Sequence, residues 1–173
     1  MKILKAIGVA LAALVLLVVA VFVGARFSDG PLAIVPGGPL RSGEWVEADR
    51  VDWSFAADVE EIEFESGGRS RTTWVVVHEG EAYIPCSLGF PPGKSWHHEI
   101  LEDPDGVLRV EGKRYARRFV RVEDEGLKAT LAGLARSKYP APPGGGSGGF
   151  WFFHVQPRQP ESRAQSPAFS TDT

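Results

Sequence analysis

The chain has 173 residues, of which 43% are hydrophobic and 24% charged, with a formal charge of −3, so it carries enough apolar material for one domain with its own core. The acidic balance argues against nucleic acid as a partner, because phosphate binding needs a positive footprint. A single cysteine excludes an internal disulfide, and the fold must stand on its core even in an oxidising compartment.

Residues 6–25, AIGVALAALVLLVVAVFVGA, contain no charge. At about 1.5 Å per residue a helix of this length spans roughly 30 Å, the hydrocarbon thickness of a bilayer. Lys2 and Lys5 precede it, which predicts a short cytoplasmic tail and anchor over residues 1–26, with the rest of the chain outside the cytoplasm at a cell (inner) membrane. A cleaved signal peptide is the alternative, with Val23 and Ala25 as small residues near a cleavage site. The apolar run is long for that role. Without Lys2, Lys5 and Arg26, 16 basic residues face all 22 acidic ones, a formal charge of −6 for the remainder.

Residues 27–57 are rich in Gly and Pro over their first half and read as a connector lying against the domain. Alternation in EEIEFES, and β-branched and aromatic residues in RTTWVVVHE and EAYIPC, predict a meander of three antiparallel strands joined through turns such as EG. SWHHEILED predicts a short helix with Ser95 as its N-cap, stopped by Pro104. GVLRVEG and KRYARRFVRV form a hairpin about Gly112. Leu127, Leu131 and Leu134 mark an amphipathic helix. GGGSGG is a flexible loop, and FWFFHVQP is a last strand, apolar on both faces and therefore central. The tail 159–173 has little apolar content and is expected to be disordered. The order predicts a mainly β, α+β domain over residues 58–158: a six-stranded antiparallel barrel, closed or half-open, with one or two helices.

Several segments bear chemistry. His97 and His98 are neighbours, and neighbours on a helix point about 100° apart, so they are poorly placed to share one metal ion. One is expected at a pocket mouth and the other in solvent. Cys86 ends a strand; Lys94 or His97 could lower its pKa, but a lone cysteine more often packs as a small buried apolar group. Lys113, Arg117 and Arg121 share one side of a strand and read as a solvated face paired to glutamates, with lipid head groups or a ligand phosphate as the alternative. No Ser-His-Asp order, P-loop or dinucleotide fingerprint is present.

The words GGRSRTTWVVV, EGEAYIPCS, GFPPGKSW, EDPDGVLRV and FWFFHVQPR, in this order, resemble the FMN-binding split β-barrel superfamily, nearest its deazaflavin-dependent nitroreductase-like branch. The resemblance covers residues 58–158. It implies a split barrel that holds FMN or a deazaflavin, with Arg71, Thr72 and Thr73 on the phosphate, Ser87 and Lys94 approaching from the following loop, and Trp96 against the ring. His97 joins this set at the pocket mouth, where the branch usually carries Asn-Leu. The resemblance also implies a homodimer that builds the site between chains, and some relatives bind haem, for which His97, His98 or His154 would be the axial ligand. A solvated role for Arg69 and Arg71, and a core role for Trp96, stand beside these assignments. Two functions follow: a flavin- or deazaflavin-dependent oxidoreductase, or a non-enzymatic envelope domain that binds a small molecule or partner and has lost the cofactor. No cofactor at all is an equal expectation, and no metal is expected.

Overall fold

The computed structural model describes residues 2–89, 93–139 and 149–158. The tail 159–173 and most of the GGGSGG loop lie outside the described residues.

An apolar helix, α1 (Lys2–Ala25), is long and apolar enough to cross a membrane, and a signal sequence near an N-terminus passes the same test. Eight strands follow: β1 (Glu44–Trp45), β2 (Glu61–Ser66), β3 (Arg69–Trp74), β4 (Val76–His78), β5 (Glu81–Ser87), β6 (Asp105–Val110), β7 (Lys113–Arg121) and β8 (Phe150–Pro157). Helix α2 (Trp96–Glu102) separates β5 from β6, and α3 (Glu125–Lys138) separates β7 from β8. The sheet order is β3-β2-β6-β7-β8-β5-β4, antiparallel throughout, with β1 added in parallel to β7. Its two edges, β3 and β4, are successive parts of one run. The sheet therefore curls until the same stretch of chain closes both sides, giving a mainly β half-barrel with three helices.

Two-residue turns set the register of three hairpins: Gly67–Gly68, Glu79–Gly80 and Glu111–Gly112. Both central residues of the last two have positive φ, 53° and 78° in one and 48° and 76° in the other. That backbone matches the twist of antiparallel strands, and glycine at the second position makes it accessible.

Six strands were expected and eight are present among the described residues. The run RTTWVVVHE breaks at Val75, whose backbone turns to α3. Val75 N–H donates to the Tyr139 hydroxyl at 3.2 Å, and Lys138 Nζ donates to its carbonyl at 3.0 Å. The segment 27–57 also carries elements of its own, β1 and a 3-10 turn (Trp53–Ala56) that buries Trp53.

Alternation divides the apolar residues between two faces. Phe64, Ile84, Cys86, Leu108, Tyr115, Phe119, Phe153 and Val155 fill the barrel interior with Trp53 and Ile100. Val76, Tyr83, Val122 and Phe152 form the outer face covered by Leu131 of α3 and by Tyr139. Thus β8, apolar on both faces, is central, with β7 and β5 beside it. On α3, Leu134 is exposed and Leu127, Leu131 and Ala135 carry the packed stripe.

The basic strand face is a correction. Arg117 is only 4% exposed, because it lies on the Tyr115 and Phe119 side of β7, inside the barrel. On the other face Arg114 donates to the Leu40 and Gly43 carbonyls, and Arg109 pairs with Glu63 and Asp29. These cations bind the connector to the sheet.

Candidate functional site

Strand β3 alternates between interior and exterior. Arg71 stands opposite Phe64 and Thr73 opposite Ile62, both interior residues of β2, so Arg71 and Thr73 face inward. Arg71 Nη1 donates to Ser66 Oγ at 2.8 Å. Its guanidinium carbon sits 5.2 Å from the Phe64 ring centroid and 5.5 Å from that of Trp96. Cation–π attraction offsets part of the cost of withdrawing this charge from water. Burial lowers the Arg71 pKa to about 10, with the Glu99 carboxylate opposing the shift, so the side chain stays a cation at neutral pH.

Helix α2 caps this end of the barrel. Its Ser95 makes no side-chain cap to the helix backbone; the hydroxyl donates instead to Glu99 Oε1 at 2.6 Å. Trp96 packs edge-on to Phe64 at 5.4 Å and tilted to Phe153 at 5.6 Å. One turn position on, His97 is buried and His98 exposed. The His97 ring meets Trp151 edge-on at 5.3 Å and lies 4.2 Å from the His98 ring, while its Nδ1 has no hydrogen-bond partner. Burial, then the neighbouring His98 and Lys94, depresses the His97 pKa, so the imidazole is neutral at pH 7 and its orphaned nitrogen can pair with an incoming polar group.

Cys86 on β5 is in register with Trp151 on β8. Lys94 hydrogen-bonds the thiol, yet burial dominates and raises the thiol pKa to about 11. Burial likewise lowers the Lys94 pKa. Beyond Trp151, the Arg121 guanidinium lies 3.9 Å from the indole centroid. The result is an aromatic wall of Phe64, Trp96, His97 and Trp151 with cations at Arg71, Lys94 and Arg121.

The structure thus brings Arg71, Lys94, Trp96 and His97 to one end of the interior, while Thr73 faces inward two residues further along β3, opposite Ile62. Thr72 faces outward and donates to the Ala33 carbonyl at 3.1 Å. Ser87 is opposite Phe150 on the α3 side, away from Cys86. Sequence reasoning missed Phe64, Ser66 and Trp151, and gave Arg121 a ligand phosphate only as the alternative to a solvated strand face. The aromatic alternation of β8 was a usable signal for Trp151; the pairing of Arg121 with it depends on a β7–β8 contact that spacing alone does not fix.

Two clefts lie elsewhere: one of about 240 Å³ along Trp45–Asp49, Arg117 and Arg158, and one of about 150 Å³ beside α3, lined by Trp74, Tyr139 and Phe152. The described residues contain no group of three His, Cys, Asp or Glu side chains able to hold a metal ion.

No family model matches the chain, and no curated protein matches it. Among solved structures, a NimC/NimA family protein from Clostridium acetobutylicum is similar to it, with 15% identity, 57% of this chain and 74% of that chain covered, and a TM-score of 0.42.

Proposed function

We propose that this chain is a membrane-tethered split-barrel protein whose α2 end binds a planar, anionic redox ligand, FMN or a deazaflavin, for oxidoreductase chemistry. One observation carries the reading. Arg71 is a cation turned into the barrel, lying against the touching Phe64 and Trp96 rings, with one hydroxyl as its hydrogen-bond partner among the described side chains.

The residues fit such a ligand in three respects. Arg71 and Lys94 supply donors for its anionic end, and a guanidinium offers two parallel N–H groups to a phosphate. Trp96 and Trp151 present apolar faces to a ring and keep water from it. His97 Nδ1, neutral and unpartnered, is available to the polar edge of that ring. A bound flavin or deazaflavin would supply hydride transfer, and the protein would contribute position and electrostatics. Lys2 and Lys5, at the start of α1 and ahead of its uncharged stretch, support a C-terminal domain outside the cytoplasm, in a cell membrane. A homodimer would add a second wall beside the cluster that α2 caps.

The second reading, an envelope domain that binds another ligand or a partner without catalysis, draws on Thr72 and Ser87. Both expected phosphate donors face away from Arg71, so the donor set is thinner than a phosphate site ordinarily requires.

Titration of FMN and of a deazaflavin into the full chain, followed by tryptophan quenching, tests the proposal. A charge-assisted contact contributes about 1.5–3 kcal/mol, so Arg71→Ala should weaken binding roughly tenfold to a hundredfold. Arg158→Ala, at the far end of β8, should leave it unchanged. Equal affinity in wild type and Arg71→Ala would refute the assignment of Arg71.

A further inference from the structure

We infer that the loop after α1, with Phe27, Leu32 and Ile34 at its surface, is a second membrane contact that seats the barrel on the lipid interface. The inference rests on the reading of α1 as a membrane span.

Ile34 is 97% exposed, Phe27 75% and Leu32 49%, although the loop that carries them is tightly held. Leu32 and Val35 exchange backbone hydrogen bonds of 3.0 and 2.9 Å, and Ala33 between them has φ +53°. A non-glycine residue in that region is strained, and the strained turn leaves Ile34 pointing away from the protein. At the neck of the loop, Gly37 packs on the Gly30 carbonyl so closely that any side chain would collide. Gly37 also exchanges backbone hydrogen bonds with Ser70 of β3, at 2.9 and 3.3 Å. Thr72 holds the Ala33 carbonyl at the tip. The apolar tip is therefore fixed to the barrel and cannot fold back to bury itself.

Continuity with α1 identifies what covers it. Gly38, next to the neck, lies against the Arg26 and Ser28 carbonyls, immediately after the helix end. Ile34 is three residues from Gly37, within about 11 Å of it along the chain. The headgroup layer on each side of a bilayer is roughly 5–7 Å deep, so a tip at this distance from the end of a spanning helix reaches it. Charge is arranged to suit. The loop's one acid, Asp29, is turned away from the tip, accepting from the Arg41 and Ser42 amides at 2.6 and 3.2 Å and from Arg109 at 3.1 Å. Arg26 and Arg41 stay exposed, where anionic headgroups could meet them. The occupant is the lipid interface, and the effect is to set which way the barrel faces above the membrane.

The test uses the full chain reconstituted in phosphatidylcholine–phosphatidylglycerol vesicles, with an environment-sensitive fluorophore on Ile34→Cys, on Val15→Cys in α1, or on Glu102→Cys in α2. Wild type, whose cysteine is buried, is the blank. Lipids carrying a nitroxide near the headgroup should quench the Ile34 label, with a blue-shifted emission; a nitroxide deep in the acyl chain should quench the Val15 label; neither should reach Glu102. A label at Ile34 that behaves like the one at Glu102 while Val15 is quenched overturns the inference and leaves the anchor intact. An unquenched Val15 label removes the anchor and the inference with it. Because a label can itself seek lipid, the unlabelled Leu32→Asp/Ile34→Asp variant is the second arm. In vesicles it should lose the protection of the Arg26–Phe27 bond from trypsin that wild type shows; equal cleavage of both chains also overturns the inference.

Discussion

Cys86 shows how burial can outweigh a neighbouring charge. A lysine beside a thiol ordinarily favours thiolate, but here the loss of water around Sγ prevails and the thiol pKa rises from 9.0 to about 11. The consequence for stability has a definite sign. The folded state holds the proton more tightly than the unfolded one, so this contribution is fully present below pH 9 and is lost as pH rises from about 9 to 11. The thiolate absorbance of the folded chain should therefore titrate near 11, and the same signal in denaturant near its ordinary value. A folded midpoint at or below 9 would mean that Lys94 controls the thiol. The small apolar role of Cys86 was legible in the sequence. The inward arginines were not, although the signal was there: Arg117 and Arg121 share their strand face with Tyr115 and Phe119, and that apolar alternation outranks the charge pattern. What makes the burial tolerable is aromatic contact, with Arg117 5.6 Å from the Trp53 centroid and Arg121 stacked on Trp151. Those partners are distant in sequence.

At the scale of elements, the seam of the barrel depends on the end of α3. The Tyr139 hydroxyl donates to the Glu60 carbonyl at 2.6 Å and accepts from Val75 N–H at 3.2 Å, and its ring stacks on Trp74 at 4.4 Å. Burial raises its pKa to about 12, so the phenol is protonated and able to do both. Tyr139→Phe keeps the stack and removes the bridge. A buried N–H left without a partner costs about 1–3 kcal/mol, so the variant should melt several degrees lower. An unchanged Tm would show that Val75 finds another acceptor. The strands, the EG turns and the three helices were readable from alternation, glycine placement and helical spacing. The break at Val75 was not, since valine is a good strand former and the group that captures its backbone lies 64 positions along the chain.

At the scale of the molecule, the curl of the sheet places the two halves of one run, β3 and β4, on opposite edges, and α2 closes one end of the interior. The connector completes the structure through backbone carbonyls offered to Arg114 and through Asp29 offered to Arg109. Such contacts leave no periodic trace, which is why a Gly/Pro-rich segment reads as a linker. The Lys94, Trp96 and His97 part of the cluster at the α2 end was legible in outline from the loop GKSWHH; placing Arg71 beside it required the strand pairing. This cluster is proposed to hold a planar redox ligand, and the decisive measurement is the absorbance spectrum of the full chain purified in detergent, with the extract released by denaturation measured beside it. A flavin or deazaflavin band should travel with the protein, or be acquired when the ligand is added, with quenching of tryptophan. No band in the purified chain, and no binding of either ligand up to about 1 mM, an affinity weaker than roughly −4 kcal/mol, would contradict it.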